Sequence, residues 1–210
     1  WLPTQGWPFV FGEDVVWFVN LVNSRVVLSC HEKREGRRLL RTLDVDVTIE
    51  LPHETEREQA RLCLAATMSG VAFTWGSRLV VTRHDGGLTG VDLPGPAKRL
   101  VPTLAHAREG IAVMLDQGAV MHWMDTKDLI ELDHDLPSPL GVFVPDGPLV
   151  LISHAGIALI AMDDLSVRRV PFPQSNPSQI VGASATATPG QVAVLGTDGE
   201  LTVYDLPTCS

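Results

Sequence analysis

The stretch GTDGELTVYDL, residues 196–206, contains a short phrase that the chain repeats. The phrase LTVYD begins with leucine and ends with an apolar residue and an aspartate, and the same pattern, led by leucine or methionine, occurs four more times. Successive aspartates are separated by 48, 33, 38 and 42 residues. A period of about 40 residues is typical of repeat arrays and propellers. The aspartates that close the five phrases are Asp44, Asp92, Asp125, Asp163 and Asp205.

Each phrase follows a second apolar run and a turn. Runs such as RVVLSC (25–30) and RLVVTR (78–83) are rich in β-branched residues, which favour strands. Turns such as TDGE (197–200) contain glycine, and Asp-Gly between two apolar runs indicates a β-hairpin because glycine tolerates positive φ. The chain is therefore predicted to contain five related hairpins. The turn glycines that belong to this pattern are Gly86, Gly118, Gly156 and Gly199.

The two strands of each predicted hairpin are apolar at nearly every position. A hairpin of this kind must be covered on both faces, so each must lie between two other sheets. Radial stacking of small sheets meets this requirement for every repeat. We therefore predict an all-β fold, a β-propeller of about five four-stranded blades. Each phrase would be the third strand of a blade, and its aspartate would end the strand with an Asx-turn.

The segments GTDGELTVYDL (196–206) and TRHDGGLTGVDL (82–93) resemble the hairpin between the second and third strands of WD40 and quinoprotein-like β-propeller repeats. Tyr204-Asp205 stands where WD40 repeats carry Trp-Asp. The resemblance covers five units across most of the chain and implies the propeller fold. The residues that match the turn aspartate of WD40 repeats are Asp85, Asp116 and Asp198.

The sequence predicts one domain whose strands divide into blades at regular intervals. A strand at 7–11 is predicted to complete the last blade, because only five residues follow Asp205 and an open edge invites aggregation. Outer strands are predicted at 45–51 and 98–102. Because the chain begins with Trp1, we expect it to be a piece of a longer protein. The predicted blades are 14–51, 71–102, 103–133, 141–172 and 181–206.

A charged stretch interrupts the repeat between the first two blades. Its charged residues recur at three- and four-residue spacing, which favours a short surface helix with paired charges. We therefore predict a helical insertion near 53–66. The residues that carry the spacing are Glu54, Arg57, Glu58 and Arg61.

Charge and cysteine content restrict the environment and the partners. The formal net charge of −9 disfavours binding to a nucleic-acid backbone. No apolar run reaches the roughly 18 residues of a membrane-spanning helix, so no membrane insertion is predicted. The three cysteines (Cys30, Cys63 and Cys209) form neither a disulfide framework nor a metal-binding pattern, which favours a reducing compartment, the cytoplasm.

The tip of the first hairpin, HEKREGRR (31–38), is basic in an otherwise acidic chain. Arginine side chains there suit carboxylate or phosphate groups on a partner. We therefore predict that the protein is a non-catalytic platform for protein–protein interaction, in a larger protein or a multi-subunit complex. It would use this tip and the insertion at 52–61 to bind protein partners or other domains of the same polypeptide. The cationic residues of the tip are Lys33, Arg34, Arg37 and Arg38.

Two other functions stay open at this point. A small-ligand or carbohydrate-binding propeller would use Trp75 and His106, and a propeller enzyme is a third possibility. The predicted inner strands contain no carboxylate, whereas glycoside hydrolysis needs a pair of them. The cluster ELDHDL (131–136) resembles a metal site most, but we interpret it as a polar turn. No catalytic residue, metal site or cofactor is predicted.

Overall fold

The computed structural model describes residues 9–11, 15–22, 25–32, 39–48, 63–83, 87–145, 147–172 and 179–207. These residues form nineteen β-strands in five antiparallel sheets, and none of them forms a helix. The chain divides into two compact units, residues 1–97 and residues 98–210.

The first sheet has four strands in chain order. They are β1 (Phe9–Phe11), β2 (Val15–Val22), β3 (Arg25–Glu32) and β4 (Leu39–Thr48). The predicted outer strand at 45–51 is not a separate element in its described part, because residues 45–48 continue β4 without a break.

The N-terminal strand pairs differently from the prediction. The sequence assigned 7–11 to the last blade, but β1 pairs with β2, with Phe9 opposite Phe18 and Phe11 opposite Val16. The prediction of a closing strand was therefore wrong for the described residues 9–11. Pairing with a strand that starts four residues later closes a much smaller loop than pairing with the end of the chain, so it costs less conformational entropy.

The second sheet contains β5 (Cys63–Ala66), β6 (Gly70–Trp75), β7 (Arg78–Arg83) and β8 (Leu88–Asp92) in that order. The predicted helix at 53–66 was wrong at its last four residues, which form β5, while 53–62 lie outside the described residues. A short apolar run such as CLAA does not distinguish helix from strand by its periodicity. Pairing with β6 decides the outcome, since it places Ala65 in the core opposite Ala72.

The third sheet has the order β12-β11-β10-β9 and is formed by β9 (Ala97–Ala105), β10 (Arg108–Leu115), β11 (Ala119–Trp123) and β12 (Leu129–Glu131). The segment 98–102 was predicted as the outer strand of the second blade, which is wrong: it is part of β9. Pro94 and Pro96 lack the backbone N–H that a ladder needs, so they separate β9 from β8.

The fourth and fifth sheets complete the second unit. The fourth sheet contains β13 (Leu140–Phe143), β14 (Leu149–Ser153), β15 (Gly156–Ile160) and β16 (Val167–Val170). The fifth sheet has three strands among the described residues, β17 (Ile180–Ala185), β18 (Gln191–Gly196) and β19 (Leu201–Asp205).

The repeated phrase does not occupy the same strand in every sheet. In the third, fourth and fifth sheets it lies at the end of the third strand, as predicted. In the first two sheets it forms the fourth strand, within β4 and β8. Each sheet of the first unit therefore has three strands before the phrase, whereas each sheet of the second unit has two.

Two apolar clusters hold the sheets of the second unit together. The first joins the third sheet, through residues such as Met121 and Trp123, to Leu149 and Ile160 of the fourth. The second cluster joins the opposite face of the fourth sheet to the fifth. It includes Ile157 and Leu159 from the fourth sheet and Val192, Val194 and Tyr204 from the fifth. Every residue of β14 and β15 is buried, as expected of strands covered on both faces.

Candidate functional site: an open sheet face and a groove

The surface that each sheet turns toward the next sheet along the chain is called its forward face here. In the third sheet this face contains Met121, and in the fourth sheet it contains Leu159, the residue at the same position of the repeated phrase. Both side chains are covered by the following sheet and are 0% and 1% exposed. The forward faces within the second unit are thus apolar. They are buried where a further described sheet follows.

The forward face of the fifth sheet is apolar but open. Val192, Val194 and Tyr204 pack on the fourth sheet, so alternation places their strand neighbours on the opposite face. Leu201, the counterpart of Leu159, is 65% exposed and Val203 is 51% exposed. Across the ladder, Leu201 pairs with Leu195 and Val203 pairs with Ala193. We call the surface formed by these four residues, Ala193, Leu195, Leu201 and Val203, the open face.

A groove of about 320 Å³ lies between the β9–β10 turn, the segment before β14 and the turn after β15. Leu104, Pro148 and Met162 contribute apolar atoms to its lining. His106 and Asp163 supply polar groups, and the Nε2 atom of His106 lies 2.5 Å from Oδ1 of Asp163. Both side chains are well exposed. The groove therefore combines an apolar wall with one hydrogen-bonded His–carboxylate pair.

The backbone holds His106 at the edge of the groove in an uncommon conformation. His106 has φ of 48° and Ala107 has φ of 62°, both in the left-handed region that non-glycine residues rarely adopt. The tight turn between β9 and β10 requires this conformation, and it directs the imidazole toward the turn that follows β15. The sequence singled out His106 for a ligand site, but no sequence pattern indicated its pairing with Asp163.

Three of the repeat aspartates, Asp92, Asp125 and Asp205, make side-chain contacts with the strand beside them. Arg108 donates hydrogen bonds from Nε and Nη2 to the carboxylate of Asp125. Gln191 donates from Nε2 to Oδ1 of Asp205 at 2.7 Å. The Nη1 atom of Arg78 lies 4.0 Å from Oδ1 of Asp92. These aspartates thus connect the start of one strand with the end of the next, whereas Asx-turn contacts are made by Asp164 with Ser166 and by Asp198 with Glu200.

The cluster ELDHDL lies between β12 and β13 and has one buried member. His134 is 3% exposed, and its Nδ1 atom accepts a hydrogen bond from the N–H of Leu136 at 3.0 Å. Its Nε2 atom is buried without a hydrogen-bond partner. Burial, and next the positive charge of Arg169, lower the pKa of His134 below its usual 6.5. The exposed Asp135 forms an ion pair with Arg169.

This cluster does not assemble into a ligand shell with His106 or His122. His106 contacts Asp163, and Nδ1 of His122 donates to the carbonyl oxygen of Asp128 at 3.2 Å. Over the part of the chain that the structure describes, no three His, Cys, Asp or Glu side chains are grouped closely enough to hold a metal ion.

Several residues singled out from the sequence cannot be placed. The basic tip residues Lys33, Arg34, Arg37 and Arg38, and the insertion residues Glu54, Arg57, Glu58 and Arg61, lie outside the described residues, as does Gly86. The backbones of Asp44 and Trp75 lie in β4 and β6. The remaining turn glycines have positive φ, with values of 87° at Gly118, 146° at Gly156 and 81° at Gly199.

No family model matches the chain, and comparison with curated proteins finds no relative. Comparison with solved structures finds several that are similar. A streptogramin B lyase is 20% identical over 97% of this chain and 69% of its own, with a TM-score of 0.57. Hsv2 of Kluyveromyces marxianus is 12% identical over 95% of this chain and 62% of its own, with a TM-score of 0.60.

A third similar structure is the β-propeller domain of Cps50 (Swd1) from Myceliophteria thermophila, 11% identical over 97% of this chain and 66% of its own, with a TM-score of 0.62. These neighbours are β-propeller proteins, and at such identities the likeness concerns the fold. The chain is therefore an all-β protein of the β-propeller class. The resemblance to WD40-like propeller repeats, predicted from the phrase, is confirmed at this level.

Proposed function

We propose that this chain is a non-catalytic β-propeller that acts as a platform for protein–protein interaction, in a larger protein or a multi-subunit complex. The observation that carries the proposal is the open face of the fifth sheet. Leu201 stands at a position of the phrase that is buried in the two preceding sheets, yet this residue is 65% exposed. Contiguous exposed apolar surface commonly marks a protein–protein interaction site.

Burial of the open face would supply a driving force for association. Removing apolar surface from water contributes about 25 cal/mol per Å², so covering side chains such as Leu195, Leu201 and Val203 stabilises a complex without any specific hydrogen bond. The two preceding forward faces gain this stabilisation inside the chain, from the sheet that follows each of them. The open face would obtain it from a protein partner or from another domain of the same polypeptide.

Affinity capture tests the platform. The chain, immobilised, is incubated with extract of the cells that encode it, and the bound proteins are identified by mass spectrometry. We expect Leu201→Asp to lose specific partners that the unmodified chain retains. Leu88→Asp is the matched control, because Leu88 is an exposed strand leucine of the second sheet, distant in sequence. Identical partner sets for Leu201→Asp and the unmodified chain would refute the proposal for this face.

The blade number and the location belong to the same proposal. Each of the five sheets would be one blade, in a ring of five blades or a larger one. The described part of the chain has no helix with the length and apolar character needed to cross a bilayer. The proposed location is the cytoplasm, a reducing compartment, because the spacing of the three cysteines in the sequence matches neither a disulfide framework nor a metal site.

A second candidate function, binding of a small ligand or carbohydrate, is favoured by the groove beside His106. Its volume of about 320 Å³ is at the lower end of the range of small-molecule sites, and the His106–Asp163 pair offers polar contacts at its edge. A thermal-shift screen with sugars and small polar molecules tests it. A compound that raises the melting temperature of the unmodified chain should lose this effect in His106→Ala. An equal rise in the unmodified chain and in the variant would place the ligand elsewhere.

A further inference from the structure

Asp163 differs from three other repeat aspartates in the side chain that it contacts. Asp163 pairs with His106, which lies in the turn between β9 and β10 of the third sheet. In its own sheet, Gly147 and Pro148 precede the neighbouring strand β14, and neither has a side-chain donor. The other three aspartates contact the first residue of a neighbouring strand in their own sheet: Asp92 contacts Arg78, Asp125 contacts Arg108 and Asp205 contacts Gln191.

The contact between His106 and Asp163 determines where the imidazole carries its hydrogen. An ionised carboxylate only accepts hydrogen bonds, so Nε2 of His106 donates to Oδ1 of Asp163. In the neutral ring, Nδ1 is then an acceptor. A carboxylate has about four lone-pair positions, so Asp163 can accept further hydrogen bonds beside that from His106. Both side chains therefore offer acceptors to a ligand in the groove.

Two backbone N–H groups of the groove lining are already used within the protein. Gly147 donates to the carbonyl of Val144 at 2.9 Å, and Ala161 donates to the carbonyl of Ser166 at 3.0 Å. These two donors are therefore not offered to a ligand. Together with the acceptors of His106 and Asp163, they favour a ligand that itself supplies hydrogen-bond donors.

The charge around the groove favours a cation. The carboxylate of Asp163 lies at the groove, and the chain has a formal net charge of −9. Arg108 follows His106 closely in sequence, but its guanidinium donates to the carboxylate of Asp125, so its charge is compensated. An ammonium group meets both requirements, because it is positively charged and has three donors and no acceptor.

The apolar wall of the groove suits an alkyl chain attached to that ammonium. Leu104 is 39% exposed, and Pro148 and Met162 extend the same lining. Methionine adapts its shape to what packs on it. A chain of methylene groups can lie along such a surface while its charged end stays at the polar edge, as lysine side chains do.

Resting on the second candidate function, ligand binding in this groove, we propose that the ligand is a primary alkylammonium. Its ammonium group would donate to the carboxylate of Asp163 and to Nδ1 of His106. Its alkyl chain would lie on Leu104, Pro148 and Met162. A free amine and the lysine side chain of a protein share this chemistry.

Titration of the full chain with n-pentylammonium chloride, followed by NMR, tests this inference. Chemical-shift changes of the His106 and Asp163 amides and of the Met162 methyl group report binding at the groove. We expect a Kd in the millimolar range, because the ligand is small and the groove is open. Asp163→Asn keeps the size of the side chain but removes its charge, and it should weaken binding at least about fivefold.

Asp164→Asn is the matched control. It removes the same charge from the next residue, which lies outside the described lining of the groove. The Asp164 carboxylate accepts the N–H of Ser166 at 2.8 Å, and an asparagine oxygen can accept it in the same way. The affinity of this variant for pentylammonium should stay within about twofold of that of the unmodified chain. Circular dichroism and thermal unfolding establish that both variants fold.

Three further ligands separate the parts of the inference. 1-Pentanol keeps the chain without the charge and should bind at least about fivefold more weakly. n-Propylammonium lacks two methylene groups and should bind at least about threefold more weakly. Nα-acetyl-lysine methylamide distinguishes the sources: binding at least as tight as that of pentylammonium supports a protein lysine, and weaker binding supports a free amine.

Three outcomes would overturn the inference. They are equal affinity of the unmodified chain and Asp163→Asn for pentylammonium, equal affinity for pentanol and pentylammonium, and unchanged groove resonances at every soluble concentration. If a sugar raises the melting temperature in a manner that depends on His106 while pentylammonium does not bind, ligand binding in the groove stands and the preference for ammonium fails.

Discussion

The guanidinium of Arg108 lies 4.4 Å above the ring of Trp123 and at the same time donates three hydrogen bonds to the carboxylate of Asp125. Arg108 begins β10, whereas Trp123 ends β11 and Asp125 follows it, so one side chain joins the ends of two neighbouring strands. The repeat aspartate of the third sheet is thus part of a cation–π and ion-pair arrangement.

This arrangement predicts unequal effects of two neutralising substitutions. Asp125→Asn keeps the stacking of Arg108 on Trp123 and should lower the free energy of unfolding by about 0.5 kcal/mol, the usual contribution of an exposed ion pair. Arg108→Gln removes both interactions and should lower it by about 1–2 kcal/mol. Urea denaturation measures both values. Equal losses would show that the stacking contributes nothing.

Buried His134 predicts a dependence of stability on pH. Because burial and Arg169 lower its pKa in the folded chain, the unfolded chain takes up a proton at higher pH than the folded chain. The contribution of neutral His134 should be complete above pH 6.5 and should be lost as the pH falls toward the lowered pKa. The positive charge of Arg169 opposes protonation of His134, and the negative charge of Asp133 favours it.

His134→Asn separates this titration from the others. The Asn Oδ1 atom can accept the Leu136 N–H in place of Nδ1, since the bond spans two residues like an Asx-turn. The free energy of unfolding of this variant should therefore fall less between pH 7 and pH 5 than that of the unmodified chain. His154→Gln, at an exposed turn residue, is the control. Parallel pH profiles for His134→Asn and the unmodified chain would contradict the prediction.

Gly70 begins β6 where the backbone of β7 approaches closely. A Cβ atom there would lie 1.9 Å from the carbonyl oxygen of Thr82, so the strands would have to move apart. Gly70→Ala should lower the free energy of unfolding by about 2 kcal/mol or more. Gly95→Ala, where a Cβ would meet no atom within 4 Å, should change it by no more than about 0.5 kcal/mol. Chemical denaturation distinguishes the two, and similar losses would argue against the close approach.

The basic tip of the first hairpin gives a prediction that depends on charge alone. Replacing Arg34, Arg37 and Arg38 by glutamate should weaken association with an acidic partner at least about tenfold, because repulsion replaces attraction. The melting temperature should stay nearly unchanged, since the sequence predicts a solvated turn here and charges in such turns contribute little to stability. Surface plasmon resonance with a captured partner measures the affinity. Unchanged affinity would remove this tip from the interaction surface.

The repeat made the class of fold predictable. A phrase that recurs about every 40 residues, hairpin turns with glycine and strands apolar on both faces indicate stacked sheets without any knowledge of long-range contacts. Local chemistry also places the hairpins: β14 and β15, for example, meet at a turn whose Gly156 has φ of 146°.

The assignment of strands to sheets was less predictable. Residues 97–105 form a single strand of the third sheet, although the sequence pattern divided them between two blades. The chain around Pro102 contains no turn that would separate the two halves, and whether such a segment joins the sheet before or after it depends on which core has space for it. The contact between His106 and Asp163 was equally hidden, since 57 residues separate them.

The sequence by itself determined that this protein is built from repeated hairpins in stacked sheets, because apolar periodicity and turn chemistry act over a few residues. Only the tertiary structure decided which strand ends each sheet and which apolar face is left in water. Leu159 and Leu201 occupy the same position of the phrase, yet one is buried and the other exposed. Burial depends on what packs against a side chain, and no local pattern specifies that.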